Sequence, residues 1–587
     1  MNPPATGTPV QLHGLAARDA AHLIHPVTEP REMTERGPRI VTAGDGWWVT
    51  DDRGRRIIDG FAGLWCVAVG HGRPEIIAAV TRQLEELDYF TTFHGQSHPR
   101  AIELAERLAG MFNPAYGLEH VMFSSGGSEA NETNFKIVRQ YWALRGEDRR
   151  TIVARHHGYH GLTIATMSAT GILPMHWNFG PNASGFEHVA APYCYKCELG
   201  LTYPDCGLAC ANSLEQLVEQ VGAESIGAFI AEPVIGAGGI IPPPDDYFPR
   251  IREICDRHGI LLIVDEVVTG FGRTGRMFGH EHWGGIRPDL VTLAKGLTSG
   301  YQPLGGSVVA DHVWDTIADG LPNQMPFSHG FTYSGHPAAC AAALANLDII
   351  ERDGLVDNAA RVGAYLHEQL HERLGGFETV GEIRGMGLMA GIEFVADRNT
   401  KRGFTHPHTA CTTVELEAWE RGLYCRAMGI ETVGLAPPLS IDRDCVDQMV
   451  SILVESVTEM ERQLLPGERS RAERFSHRYG SAQEIFDRMV ERFDADRAAD
   501  ADLVVAFALT GDEGGTWTVT IRDGAMDLSG PADAPSTSPT VTINASAEDY
   551  VRMANGELDG AEAFSTQRLS IDGDLTAAVL LSQLGLM

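Results

Sequence analysis

Lysine is almost missing from this chain. Of 587 residues only four are lysine, Lys136, Lys196, Lys295 and Lys401, although Lys and Arg together number 46. Positive charge is short altogether: 78 acidic residues leave a formal net charge of −32. A phosphate backbone selects basic patches, so the balance excludes nucleic acid as the expected partner, and an anionic membrane surface with it. Long apolar runs are missing as well. No stretch of about 18 uncharged apolar residues occurs, so no membrane-spanning helix is expected. The N-terminal MNPPATGTPVQLHG lacks the basic start and apolar run of a signal peptide, which makes the cytoplasm the expected compartment. The ten cysteines are then expected to be mostly reduced. What is there is a globular composition, 43% apolar and 21% charged, in a chain longer than one ordinary core. Two or more domains are expected.

Residues 1–40 are polar and Pro-containing, and read as a segment wrapped over another surface. GWWVTDDRGRRIIDG alternates apolar and polar residues about a D-R-G turn, the pattern of a hairpin. RPEIIAAVTRQLEELDYF has helical spacing. From about 120 to 310, HVMFSS, RTIVAR, IGAFIAEP, GILLIVDEV and PDLVTLAKG are short apolar runs between helical patterns. Near-continuous apolar strands between helices predict an α/β fold: a mostly parallel sheet covered on both faces, with ligands at the carboxyl ends of the strands. FETVGEIRGMGLMAGIEFV reads as further strands. DCVDQMVSILVESVTEMERQLL is a long amphipathic helix that Pro466-Gly467 is expected to stop. Beyond it the composition changes: residues 480–587 hold 19 acids, six arginines, no lysine and no cysteine. A linker over 466–479 and a separate α+β domain over 480–587 follow. There SAQEIFDRMVERFDADRA is an amphipathic helix, DLVVAFAL, GTWTVTIRDG and MDLSG alternate like antiparallel strands, and the tail to residue 587 reads as helices.

The strand ends carry the chemistry. Lys295 follows DLVTL. Unlike arginine, a buried lysine can lose its proton, and its free amine attacks carbonyls, as an aldehyde cofactor held by a Schiff base requires. A plain surface lysine at a strand end is the bland alternative. Asp265 ends the run ILLIV. A carboxylate there needs a cationic partner, such as a protonated pyridine nitrogen, or else it is a helix cap. FSSGGSEANETNFK is a strand, a Gly-rich turn and a helix. Gly126 and Gly127 let the backbone approach an anion, Ser128 adds a hydroxyl, and the helix N-terminus favours negative charge. Tyr159, in RHHGYHG, is an aromatic able to stack on a cofactor ring. Glu232, in IAEPVIGAGG, ends another strand.

In this order, and with DGFAGLWCVAVGHG, SGGSEAN, HHGYHG, AEPVIGAGG, VDEVVTGFGRTG, AKGLTSGYQPLG, HGFTYSGHP, IRGMGLMAGIE and RAMG…LAPPL, residues of roughly 15–465 resemble a fold-type I, class III aminotransferase using pyridoxal 5′-phosphate. Within the class the likeness is to ω-amino acid:pyruvate transaminases. The resemblance implies a transaminase over 1–465, its large domain over about 70–345 and its small domain built from the N-terminal segment and about 346–465. It implies that Lys295 binds the cofactor covalently and moves the substrate proton, and that Asp265 holds the pyridinium nitrogen. Gly127, Ser128 and a neighbouring subunit's copy of Thr332 would bind the phosphate. Tyr159 and Val267 would face the ring, and Glu232 would lie by its 3-hydroxyl. Trp65, Phe93 and Tyr159 would line the substrate pocket. Arg426 would grip a substrate carboxylate and swing out for an apolar amine. A homodimer or homotetramer, a ping-pong cycle and amine and 2-oxo acid substrates with pyruvate as acceptor go with it. A decarboxylase or aminomutase on the same cofactor is the neighbouring alternative.

Residues 475–587 resemble a sterol-carrier-protein type domain, best in ANGELDGAEAFSTQRLSIDGD. That implies an apolar site for an acyl or sterol-like ligand, and makes a lipid-binding protein the reading from another class. The domain is acidic and without lysine where that family is usually basic and lysine-rich. One motif stands apart: Cys194, Cys197, Cys206 and Cys210, whose C-x2-C and C-x3-C spacing resembles a tetrahedral zinc site, with disulfides or plain thiols as alternatives.

Overall fold

The computed structural model describes residues 13–573, apart from 285, 475–477, 492, 494–497, 499–501, 523, 532–537, 556, 559, 566 and 567. The expected helices at the very C-terminus, and residues 1–12, lie outside the described residues. The chain divides into two compact units, 1–465 and 466–587.

In the first unit a seven-stranded sheet runs in the order Leu118–Ser124, Gly305–Ala310, Leu290–Leu293, Leu261–Asp265, Ile226–Ala231, Thr151–Arg155, Phe186–Val189. Its last five strands are mutually parallel, and Gly305–Ala310 is antiparallel to both its neighbours. Both faces are buried, which is why the strands read as unbroken apolar runs. Leu262 and Val264 pack with Tyr247, Phe248 and Ile251 on one face. Leu261 and Ile263 pack with Phe135, Val138 and Trp142 on the other. The hairpin read in the sequence is present, with Trp48 opposite Ile58. Its last strand, Arg56–Asp59, pairs in parallel with Leu423–Tyr424, so the N-terminal segment joins the later part of the unit. Val380–Met386 and Met389–Phe394 form an antiparallel pair in a second, four-stranded sheet.

Pro466 does not stop the long helix. The helix spans Arg443–Arg474 with the proline inside it. Val446, Met449, Val450, Leu453, Val457 and Met460 of this helix are fully buried in the main core. These buried positions all precede Pro466, so core packing anchors the helix up to the proline; Pro466, Gly467 and Arg469 are exposed.

In the second unit five strands run in the order Ala525–Ser529, Gly515–Arg522, Leu503–Thr510, Val541–Ser546, Leu569–Gly573. The three strands read as antiparallel do pair that way, and Leu503–Thr510 also pairs in parallel with Val541–Ser546, a strand for which the sequence carries no pairing. Phe486, from the helix Ala482–Glu491, stacks between Trp517 and Tyr550 at centroid distances of 4.7 and 5.6 Å.

Candidate active site

A cavity of about 290 Å³ opens at the carboxyl ends of the parallel strands, lined by Gly126–Ser128, Tyr159, Glu232, Asp265, Val267 and Lys295. Each wall follows from its local sequence. The helix Gly127–Leu144 begins at the cavity, and its first N–H groups have no acceptor within the helix. A Cβ on Gly127 would lie 3.0 Å from Val267 Cγ2, and one on Gly161 would collide with Ser128 Oγ. Glycine at both positions keeps this end open for a bulky anion.

Asp265 is 3% exposed, at the end of Leu261–Asp265. Its Oδ2 accepts from Asn131 Nδ2 at 2.9 Å and lies 2.8 Å from His160 Nδ1. Its Oδ1 accepts from Val267 N at 3.1 Å. Behind it runs a buried relay: Asn134 Nδ2 donates to Thr292 Oγ1 at 2.8 Å, and Thr292 Oγ1 donates to Asn131 Oδ1 at 2.7 Å. The relay fixes the carboxylate in one orientation. With Nδ1 turned to Asp265, the buried His160 Nε2 has no partner among the described residues.

Lys295 opens the turn Lys295–Leu297 at φ +44°, a left-handed conformation that a lysine adopts only when held there. Burial, chiefly, lowers its pKa. Cys66, Asp265 and Glu232 oppose the shift, and Arg426 adds to it. Glu232 is buried, accepts from Tyr159 N at 3.0 Å and from Gly236 N at 2.9 Å, and burial raises its pKa. Arg426 lies on the strand Arg426–Met428 with its guanidinium 6.0 Å from the Phe61 ring centre. Its charge reaches both Tyr159 and Lys295, and no carboxylate pairs with it among the described residues.

Like Arg426, three more of the expected site residues do not line this cavity, Thr332 among them, which was expected at a neighbouring subunit's site. Trp65 is buried against Phe61 at 4.4 Å, beside Cys66 of the cavity wall. Phe93 and Thr332 do not line this cavity; both are exposed. Phe93 packs on Gly330, two residues from Thr332, so the pair shares one surface of the chain. Sequence reasoning passed over Asn131, His160, Thr292 and Cys66. A polar Thr292 inside the apolar strand Leu290–Leu293 was a usable signal, and His160 stands within HHGYHG.

The four clustered cysteines do not make a metal shell. All are free thiols, and no three metal-ligating side chains converge among the described residues. Cys210 is turned into the apolar layer beside Leu214 and Phe248, where burial pushes its thiol up to about 12. Their loop is held by lysines instead: Lys196 Nζ lies 2.9 Å from Glu393 Oε1, and Lys401 Nζ donates to Tyr195 O at 2.6 Å.

A buried carboxylate at a strand end, a displaced lysine, and a helix N-terminus facing both across one cavity define a fold-type I, pyridoxal-phosphate-dependent transferase. The chain belongs to the class-III aminotransferases, whose family model matches residues 31–457. Residues 483–584 match the SCP-2 sterol transfer family. The diaminobutyrate–2-oxoglutarate transaminase of Halomonas elongata is 41% identical over 453 residues, 76% of this chain and 96% of that protein. The putrescine–pyruvate aminotransferase of Pseudomonas aeruginosa is 40% identical over 433 residues, 73% of this chain and 93% of that one. An (S)-enantioselective omega-transaminase from Thermomicrobium roseum superposes with a TM-score of 0.73 at 44% identity, over 76% of this chain and 98% of that chain. The omega transaminase of Pseudomonas jessenii in complex with PMP gives a TM-score of 0.75 at 38% identity, over 78% of this chain and all of that chain. The cavity fits the cofactor of this class: an anion cradle, a buried carboxylate and an amine face one space, and His160 braces the carboxylate. Among the described residues no helix is long and apolar enough to cross a membrane.

Proposed function

We propose that this chain moves the amino group of an ω-amino acid or other terminal amine to a 2-oxo acid, with pyruvate as acceptor, in two half-reactions of a ping-pong cycle. One observation carries the reading: the cationic Arg426, with no ion-pair partner among the described residues, stands near a cavity that holds a buried lysine and a buried carboxylate. The cofactor, when bound, supplies a ring that withdraws electrons from the carbon losing its proton. The chain does the rest. Gly127, Ser128 and the helix N-terminus bind the phosphate. Tyr159 and Val267 would pack against the ring. Asp265, which His160 and Asn131 keep from turning away, would hold a proton on the ring nitrogen. Lys295 would hold the cofactor and carry the proton from the substrate's Cα. Arg426 takes the carboxylate of the 2-oxo acid through a planar, bidentate contact and moves aside for an amine without one. The two relatives above are named for donors with two amino groups, which supports a terminal-amine donor.

Phe93 and Thr332, exposed together and away from their own cavity, support a homodimer in which each chain lends both to its partner's site. For the second unit, the SCP-2 match supports a bound acyl or sterol-like ligand.

The test is a single half-reaction. The visible band of the bound cofactor is followed by stopped flow as amines are added without acceptor: β-alanine, taurine, diamines, then long-chain alkyl amines. The full chain is compared with residues 1–474, which keep the helix Arg443–Arg474 whole. Fast reaction of short ω-amino acids in both supports an ω-transaminase with an accessory domain. Lipophilic amines reacting only with the full chain would assign substrate delivery to the second unit. No reaction with any amine would overturn the transaminase reading.

A further inference from the structure

One exposed loop is fixed from several sides. Thr332 and Tyr333 face solvent, Tyr333 at 61%. Yet His329, three residues before Thr332, is wedged against the helix Gly127–Leu144. Its Nε2 is 2.8 Å from Thr133 Oγ1, and its Nδ1 is 3.0 Å from Lys136 Nζ. Thr133 Oγ1 already donates its hydrogen to Glu129 O at 2.8 Å, and an ammonium can only donate. The tautomer follows: Nε2 carries the proton and donates it to Thr133, while Nδ1 accepts from Lys136. The arrangement needs a neutral ring, and burial together with the Lys136 charge holds the His329 pKa down to about 4. Further along, Tyr89 Oη donates to Thr332 O at 2.7 Å, and Phe93 closes on Gly330 so tightly that a Cβ there would lie 2.8 Å from Phe93 Cζ.

A solvent-facing loop gains nothing for its own chain's cavity from such fastening, because neither His329 nor Thr332 lines that cavity. The fastening helix is the one whose N-terminus, with Ser128, forms the anion cradle. Lys136 lies eight residues beyond Ser128, about 12 Å further along the axis at the usual rise per residue.

We propose that Thr133, Lys136 and His329 form a latch that sets the reach of Thr332 toward the cofactor phosphate in a second copy of this chain. The helix that cradles one phosphate thereby positions the residue that completes the other cradle. The proposal rests on the dimer reading above. Thr133, Lys136 and His329 touch neither cofactor nor substrate and act as positioning residues.

The experiment uses the full-length holoenzyme. The dissociation constant of pyridoxal 5′-phosphate is measured by equilibrium dialysis for the wild type, Thr332→Ala, Lys136→Met, His329→Ala, Lys136→Arg and the double variant Lys136→Met/Thr332→Ala. Sedimentation velocity records the oligomeric state of each. Loss of a hydrogen bond to a charged group predicts that Thr332→Ala, Lys136→Met and His329→Ala each weaken binding about tenfold. The double variant should be no weaker than either single, because the latch acts only through Thr332. Lys136→Arg, which keeps a cationic donor, should restore most of the affinity, and all variants should sediment as the wild type does. If Thr332→Ala weakens binding while Lys136→Met does not, or if the two effects multiply, the latch is wrong and the dimer reading stands. If Thr332→Ala changes nothing, Thr332 has no role at a phosphate and both readings fall.

Discussion

The two units of this chain bury their polar atoms by opposite rules. At the strand ends of the first, polar groups converge on open space: a carboxylate with two side-chain donors, an amine without a carboxylate, an arginine without an ion pair. In the second, aromatic rings pack in the interior, Phe486 between Trp517 and Tyr550, and one buried donor, Trp517 Nε1, has no partner among the described residues. Buried polar groups are costly unless satisfied. In the first unit one unpartnered atom, His160 Nε2, stands at the cavity wall, while others, such as Arg252 Nε and His367 Nε2, lie away from it. Among the described residues of the second unit the unpartnered atom is Trp517 Nε1.

The sharpest break of that contrast is Lys295→Arg. Arginine stays protonated in a protein, so it can neither attach the cofactor nor carry the proton. Turnover should fall by about 10³-fold or more, since nucleophile and general base are lost together. The thermal midpoint should stay within a few degrees of the wild type. Activity above a few per cent would refute the assignment.

Asp265→Asn is the next largest. It keeps the shape and the Asn131 contact but removes the charge that holds a proton on the ring. A loss of about 10²- to 10³-fold in kcat is expected, the scale for deleting one preorganised electrostatic group. KM should change far less, and a KM effect of the same size would place Asp265 in binding instead.

Why Lys295 and Asp265 were legible and their surroundings were not has a physical answer. Each is a chemically odd residue closing an apolar run, and the run's length fixes it at a strand end. The Asn134–Thr292–Asn131 relay spans 161 positions and exists only once a helix has settled across the sheet. Likeness assigned Thr332 to a neighbouring subunit's site, but for Phe93 it gave a pocket without saying whose. Cysteine spacing in the 194–210 loop gave intervals without directions, and Cys210 points into the core. The helix runs through Pro466 to Arg474 although the residues just beyond the proline are not buried, so the continuation has no counterpart in the apolar pattern. Alternation in Leu503–Thr510 and Val541–Ser546 is the same for parallel and antiparallel pairing, so the crossover between them was invisible.

The second unit can be broken without touching the first. Phe486→Ala deletes the middle ring of the stack at a site with no exposure. A loss of about 3–5 kcal/mol is expected there, the usual range for a buried Phe→Ala. Calorimetry should show the transition of the second unit lowered or lost, while transaminase turnover is unchanged. A fall in turnover would show that the second unit supports the catalytic one.

Trp517→Phe should have the smallest effect on stability, and its smallness is the point. The indole is 2% exposed, so the exchange removes buried apolar area and leaves a small void. It also removes a buried N–H that no acceptor satisfies. The two contributions have opposite sign and similar size, so the net change should lie within about 1 kcal/mol. A hydrophobic ligand with a carbonyl or hydroxyl oxygen would give that N–H its acceptor. Titrating the full chain with a fatty acid and with an alkane of equal length separates the cases. If the fatty acid binds the wild type and loses about tenfold in Trp517→Phe while the alkane does not, the indole is a ligand contact. If both bind equally well to both proteins, or neither binds, the aromatic core is packing alone, and the contrast between the two units is complete.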